Sequence, residues 1–164
     1  MRIGAHVSTA GGIDKAIDRA QEIGAEAVQV FVSSPQSWGY RAIPGETIEA
    51  YKRKVSAAGI EPTFFHGVYL VNLATGNESN LGKGIESLKF YMDTAAALGA
   101  LGVIFHVGSH GGVGFEKVLA QIVRSIQQVL GNSPGHPFLI MENSAGMGNH
   151  AGSKFSELGR IIRG

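Results

Sequence analysis

Residues 102–131, GVIFHVGSHGGVGFEKVLAQIVRSIQQVLG, contain the pattern that best indicates the fold class. The stretch begins with a short β-branched and aromatic run, Gly102–His106, and a glycine-rich turn leads from it into a segment whose apolar residues recur every three or four positions. The run predicts a buried strand, and the periodic segment predicts an amphipathic helix that starts near Phe115 and ends at Gly131. One strand followed by one helix is therefore the unit to look for elsewhere in the chain.

The same unit occurs five times along the sequence. Strands are predicted at Arg2–Val7, Ala27–Val32, Pro62–His66, Gly102–His106 and Phe138–Glu142. Helices are predicted from Ile13 to Ile23, from near Thr47, from about Leu81, from Phe115 and from Lys154 to Ile162. Because parallel strands need crossover connections, this alternation indicates an α/β fold with a parallel sheet. The sheet could be open and doubly wound, which the length alone favours, or part of a (β/α)8 barrel, which typically takes about 250 residues.

Composition excludes several classes of protein. The 164 residues are 44% hydrophobic and 16% charged, which predicts one folded domain rather than a disordered chain. There are no cysteines, so the candidate metal ligands are His, Asp and Glu. A net charge of +1 provides no general attraction to nucleic acid. Neither a membrane-spanning run, a signal peptide, a P-loop nor a GxGxxG turn is present, so we expect a cytoplasmic protein without a membrane partner.

Polar residues stand where the predicted strands end. An apolar run ends in each case at one of four residues: His6, His66, His106 and Glu142. These positions are the C-terminal ends of the predicted strands, which carry the active site in parallel α/β proteins. His66, His106 and Glu142 lie about one βα unit apart, so their side chains are expected to converge. Two histidines and one carboxylate are the ligand set of a catalytic zinc site. A lone histidine is more often a hydrogen-bonded core residue, but three ligands in phase favour a bound cation.

Four motifs carry a resemblance to a known family: GAHVSTAGG (4–12), HGVYLVNLA (66–74), FHVGSH (105–110) and MENSAGMGN (141–149). In this order and spacing they resemble the endonuclease IV family of apurinic/apyrimidinic endonucleases. The resemblance implies a (β/α)8 TIM barrel of xylose-isomerase type, of which residues 1–164 would form the N-terminal part with about five β/α units. It also implies a zinc-dependent hydrolase for DNA repair that cuts double-stranded DNA on the 5′ side of abasic sites with metal-activated water.

The resemblance assigns roles to the strand-end residues. It implies that His66 and His106 bind one zinc ion, and that Glu142 bridges this ion to a second and lies closest to the chemistry. The complete family enzyme holds three zinc ions. The later ligands, on strands six to eight, have no counterpart here, so we expect at most one complete zinc site.

The resemblance also implies DNA contacts. Tyr69 and Leu70 match side chains that fill the gap at an abasic site, with ordinary loop packing as the alternative. Gln36 and Trp38 match a DNA-contacting segment, although family members often carry a basic residue at the position of Gln36. Trp38 could equally be a buried anchor.

The remaining polar candidates have weaker assignments. His6, His110 and Ser144 are expected at the floor or rim of the pocket, where they would orient a ligand or contact phosphate. His136 and His150 are expected to be plain loop residues.

Two other functions stay open at this point. A divalent-metal sugar isomerase or epimerase would use the same barrel and ligand types, although the GAHVSTAGG turn and the Tyr69-Leu70 pair count against it. A non-catalytic metal-binding or DNA-binding fragment is the other. The open edges of an incomplete barrel would also permit self-association.

Overall fold

The computed structural model describes residues 1–131, 137–146 and 148–164. In this part of the chain five strands alternate with five helices, as the periodicity predicts. The strands are β1 (Gly4–His6), β2 (Ala27–Val30), β3 (Thr63–His66), β4 (Gly102–His106) and β5 (Phe138–Glu142). The helices are α1 (Ile13–Glu22), α2 (Gly45–Ala58), α3 (Glu78–Leu98), α4 (Phe115–Leu130) and α5 (Phe155–Arg163).

The strands form one parallel sheet in the order β1-β2-β3-β4-β5. This sequential order differs from a doubly wound sheet, in which the strand order reverses at a switch point. Crossovers of one hand between successive strands place the connecting helices on one face, which is the arrangement of a (β/α)8 barrel. The α/β class is confirmed, and the open doubly wound alternative is wrong.

The two faces of the sheet are buried to different extents. Side chains directed toward the helices are fully buried. Val30, Phe65 and Val103, for example, have no exposed surface. Residues of the opposite, concave face, such as Gln29, Phe64 and Ile104, are only half-buried. The hydrophobic core therefore lies between sheet and helices, while the concave face stays accessible around the ends of the strands.

Two helices begin earlier than predicted. Helix α2 starts at Gly45 rather than near Thr47, and α3 starts at Glu78 rather than about Leu81. The first turn of α3 is held by Asn77, whose side-chain oxygen accepts a hydrogen bond from the Asn80 backbone N–H at 2.9 Å. These first turns are polar and exposed, so hydrophobic periodicity could not reveal them.

The described residues leave both edges of the sheet unpaired, since β1 pairs only with β2 and β5 only with β4. Among the helices in this part of the chain, none is long and apolar enough to cross a membrane.

Candidate metal centre

Three strand ends bring His66, His106 and Glu142 together, as their spacing predicts. One ligand atom from each residue lies within 4.8 Å of the others. Glu142 Oε2 is 3.1 Å from His66 Nε2 and 3.9 Å from His106 Nε2. The register places His106 opposite Glu142 in the β4–β5 pair and His66 opposite Ile104 in the β3–β4 pair, so the three residues lie at the C-terminal ends of neighbouring strands. We refer to these three residues as the candidate triad.

The hydrogen bond of His66 Nδ1 directs the other ring nitrogen, Nε2, toward the Glu142 carboxylate. The ring is buried, and Nδ1 lies 2.8 Å from the Gly67 carbonyl oxygen. A carbonyl can only accept, so Nδ1 carries the proton and Nε2 of the neutral ring is an acceptor. With the ring neutral, Nε2 and the Glu142 carboxylate, 3.1 Å apart, present two acceptors to each other, whereas a protonated ring would donate to the carboxylate. A cation between them removes this conflict. The 3.1 Å between the two atoms is close to the spacing of about 3.3 Å between ligand atoms of a tetrahedral zinc site.

The surroundings of His106 favour its neutral form. Burial lowers the pKa of His106, the nearby Glu142 carboxylate acts in the opposite direction, and His66 and His150 lower the pKa further. The neutral imidazole is the form that binds metals. The donor set, the tautomer of His66 and the lowered pKa of His106 therefore all fit a zinc ion.

Asn72 joins the loops that follow β3 and β4. Its side-chain oxygen accepts hydrogen bonds from the backbone N–H groups of Ala74 and Ser109, each at 3.0 Å. Its amide nitrogen donates to the Ser109 carbonyl at 3.0 Å. One side chain thus fixes the loop after His66 against the loop after His106.

The loop after β4 is joined in turn to the loop after β5. The backbone N–H of Ala151 donates to the Gly108 carbonyl at 2.9 Å, and that of His110 donates to the Asn149 carbonyl at 2.9 Å. Ser109 and His150 form an antiparallel bridge between the same loops. His150, expected to be a plain loop residue, therefore helps to hold the β5 loop, and the three loops behind the candidate triad form one bonded unit.

The side chains matched to DNA contacts lie on two neighbouring loops. The Tyr69 backbone N–H donates to the Pro35 carbonyl at 2.9 Å, which ties these loops together. The Tyr69 ring is 58% exposed and packs edge-on against His66, with ring centres 5.8 Å apart. Leu70 and Gln36 are also exposed, whereas Trp38 is half-buried and packs against the hydrophobic core.

The other polar candidates are engaged in different ways. His6 Nδ1 lies 2.9 Å from the Gln29 side-chain nitrogen. Burial lowers the pKa of His6, and His66 adds to this effect. His110 Nδ1 accepts from the backbone N–H groups of Gly112 and Gly114, each at 3.2 Å, and so shapes the turn before α4.

Ser144 is 9% exposed, and its hydroxyl has no hydrogen-bond partner in the part of the chain that the structure describes. It lies below the surface rather than on an open rim. His136 lies outside the described residues.

Sequence reasoning missed two residues that hold the site, Gln29 and Asn72. Asn72 stands inside the HGVYLVNLA motif, so its position in that motif was a usable signal. Gln29 is a polar residue at a position of β2 that faces the concave side, beside the end of β1. A polar residue in an otherwise apolar strand was the signal there.

Comparison with known proteins identifies the family. A family model described as "Xylose isomerase-like TIM barrel" matches residues 17–164. The "Probable endonuclease 4" of Halothermothrix orenii is 37% identical over 162 residues, which are 99% of this chain and 58% of the relative. The crystal structure of endonuclease IV from Thermus thermophilus superposes with a TM-score of 0.89 at 32% identity, over 99% of this chain and 59% of the other. The chain belongs to the endonuclease IV family of xylose isomerase-like TIM barrels.

The matched proteins differ from this chain in length, and some share only its fold. The chain spans 58% of the length of the curated relative that it matches. D-allulose 3-epimerase from Methylomonas has a TM-score of 0.71 at 16% identity, over 99% of this chain and 58% of the epimerase, and that similarity shows the fold alone. The structure is thus a partial TIM barrel of five parallel β/α units.

Proposed function

We propose that this chain is the N-terminal part, residues 1–164, of a single-barrel zinc endonuclease that cleaves double-stranded DNA on the 5′ side of abasic sites. The observation that carries the proposal is the candidate triad, with its ligand atoms within 4.8 Å of one another. Identity of 32–37% to proteins named endonuclease 4 and endonuclease IV supports this reaction over that of the sugar epimerases, which match at 11–16% identity.

In this proposal His66, His106 and Glu142 hold one zinc ion. When bound, zinc supplies an activated water for attack on phosphorus and a positive charge beside the phosphate oxygens. The Gly67 carbonyl keeps the His66 ring in the orientation that directs Nε2 at the ion. The reaction forms one bond from the water oxygen to phosphorus and breaks one ester bond, whose leaving oxygen takes up a proton.

Glu142 is the member of the candidate triad best suited to the chemistry. Its side chain is 43% exposed, whereas that of His66 is 6% exposed. One carboxylate oxygen, Oε2, faces both histidines, which leaves Oε1 for a second ion or for the attacking water. We therefore assign Glu142 as both metal ligand and catalytic residue.

Tyr69 and Leu70 are proposed to enter the DNA at the abasic site. Both are apolar side chains exposed on the loop that directly follows His66, and the Tyr69 ring rests on His66 itself. An abasic nucleotide leaves a gap in the base stack that such side chains fill. Gln36 and Trp38, on the loop bonded to Tyr69, are proposed to contact the same duplex, with exposed Gln36 the more accessible of the two.

The proposal is tested by elemental analysis of the purified chain, together with its His66→Ala and Glu142→Ala variants. We expect about one zinc per chain, lost in both variants. His150→Ala is the matched control, because His150 lies on a nearby loop but outside the candidate triad, and it should keep the metal. Folded protein without metal would contradict the site.

Incision of a duplex with one abasic site then tests the reaction, with an intact duplex as control. Cleavage that a chelator abolishes would support the proposal. A chain that binds zinc in the candidate triad and leaves the abasic duplex uncut would contradict catalysis by this chain and support the non-catalytic metal-binding alternative.

A further inference from the structure

A pocket lies beside the candidate triad, between the ends of β1 and β2. Its volume is about 460 Å³, and His6, Ser8, Phe31, Ser33 and Ser34 contribute to its lining, which contains no carboxylate. The His6 and His66 rings are 6.3 Å apart, and the Phe31 ring contacts both. A molecule held at the triad would therefore reach this pocket.

The neighbouring strand determines which nitrogen of His6 carries the proton. The register of the sheet places His6 opposite Gln29, and the Gln29 amide nitrogen lies 2.9 Å from His6 Nδ1. An amide nitrogen can only donate, so Nδ1 must accept. The proton of the neutral ring is then on Nε2. Burial, which lowers the pKa of His6, acts in the same direction by favouring the neutral ring.

His6 Nε2–H is one of the side-chain donors available in this pocket, beside the hydroxyls of Ser8 and Ser34. The Ser8 hydroxyl accepts from the Ala10 backbone N–H, and the Thr9 hydroxyl donates to the Phe31 carbonyl. The Ser33 hydroxyl pairs with that of Tyr91 at 2.9 Å. His6 Nε2–H makes no hydrogen bond within the described residues. A free N–H in a pocket without carboxylates fits an anionic oxygen.

We propose that Gln29 holds His6 in the Nε2–H tautomer, and that this N–H donates to a phosphodiester oxygen of DNA bound beside the candidate triad. The inference rests on the proposed function and names a contact that the metal site alone does not supply. His6 cannot act as a base here, because Nδ1 receives a donor and Nε2 already carries a proton. It is a residue that positions the phosphate, and Gln29 positions His6.

The first test needs no DNA. Nitrogen NMR of the ¹⁵N-histidine-labelled chain distinguishes the two tautomers, and the His6→Gln variant identifies the His6 signals. We expect a protonated Nε2 and an unprotonated Nδ1 for His6, and a loss of this preference in Gln29→Leu. A proton on Nδ1 in the unsubstituted chain would overturn the inference.

The second test measures binding of a duplex that contains a tetrahydrofuran abasic analogue. His6→Asn removes a donor at the position of Nε2, whereas the longer amide of His6→Gln can replace it. We expect about tenfold weaker binding for His6→Asn and near-normal binding for His6→Gln, at unchanged zinc content, because a hydrogen bond to a charged group is typically worth this much. Equal affinities for both variants and the unsubstituted chain would overturn the inference.

Neutral methylphosphonate linkages, placed one at a time around the lesion, identify the contacted group. At the contacted phosphate, the difference between the unsubstituted chain and His6→Asn should disappear. If the difference persists at every linkage, His6 contacts a sugar oxygen and the phosphate assignment is wrong. Failure of the proposed function is recognised separately in the unsubstituted chain, which would then bind no zinc, not bind the abasic duplex, or leave that duplex uncut.

Discussion

Among single residues near the site, Asn72 and Gly108 pack so closely that there is no room for a side chain at position 108. A Cβ atom at Gly108 would lie 2.2 Å from the Asn72 side-chain oxygen, and the backbone has a φ of +111°. Any side chain there collides with the residue that joins two of the three loops behind the candidate triad. Asn72 cannot move without losing its hydrogen bonds to Ser109.

We therefore expect Gly108→Ala to destabilise the protein by about 3 kcal/mol or more, from backbone strain together with lost hydrogen bonds. Gly111 provides the matched control in the same loop, since its φ is +59° but no atom lies within 4 Å of an added Cβ. Gly111→Ala should cost only about 1 kcal/mol. Urea unfolding of both variants measures the difference, and equal losses would show that the collision with Asn72 is unimportant.

The sequence predicts the ligands of the candidate triad because each closes an apolar run, and strand ends in a parallel sheet meet at one edge. It does not predict Gln29 or Asn72 in the same way. Their partners, His6 and Ser109, lie on other strands or loops, so the hydrogen bonds exist only once the register of the sheet is known. Ser144 illustrates the same limit, since nothing in its glycine-flanked motif indicates that it is buried.

At the scale of elements, α1 and α2 are joined by a small ionic cluster. Lys54 Nζ of α2 lies 2.9 Å from an Asp14 carboxylate oxygen and 2.6 Å from one of Asp18, both on α1. The hydrogen bond from Lys54 lowers the pKa of Asp14, and the two carboxylates, Asp18 first, raise the pKa of Lys54. These side chains are partly exposed, so the cluster contributes at most about 1 kcal/mol.

The signs of these pKa shifts determine how the cluster depends on pH. Because the pKa of Asp14 is lower in the folded state, its contribution is present above the unfolded value of about 3.9 and is lost as pH falls through the folded pKa. Because the pKa of Lys54 is raised, its contribution is present below about 10.4 and is lost as pH rises through the folded pKa. Lys54→Met should lower the melting temperature at pH 7 by a few degrees, and this difference should shrink below about pH 4.

Lys52→Met is the matched control, because Lys52 faces Glu49 within α2 at 3.8 Å and both side chains are exposed. It should change the melting temperature little at any pH. A Lys54→Met deficit that stays constant from pH 3 to pH 7 would show that the lost packing of the lysine side chain, rather than its charge, causes the effect.

For the molecule as a whole, the two edges of the sheet that the described residues leave unpaired affect behaviour in solution. Ile3 beside β1 and Phe138 on β5 are 66% and 60% exposed, and Ile162 of α5 is 74% exposed. Unpaired edge strands with apolar side chains promote pairing with another chain. The sequence predicts these edges only through the resemblance, because a count of β/α units does not say whether a sheet closes.

We therefore expect the purified chain to associate, with a sedimentation mass above that of one chain that rises with concentration. Phe138→Glu and Ile3→Glu should shift the distribution toward one chain, because a charge at either edge opposes pairing. Val113→Glu is the control, since Val113 is 53% exposed but lies in the turn before α4, away from both edges. A monomer at all concentrations, or an equal effect of the control, would contradict association through the edges.

The position of Glu142 has one more consequence. Its two partners in the candidate triad belong to strands with a neighbour on each side, whereas β5, which carries Glu142, has one neighbour within residues 1–131, 137–146 and 148–164. An ion bound by the three side chains would therefore link the central strands β3 and β4 to the edge strand β5. By mass action, an ion that binds only while β5 is paired would stabilise the pairing of this edge strand. Tighter binding of the ion and less frequent local opening of β5 would therefore occur together.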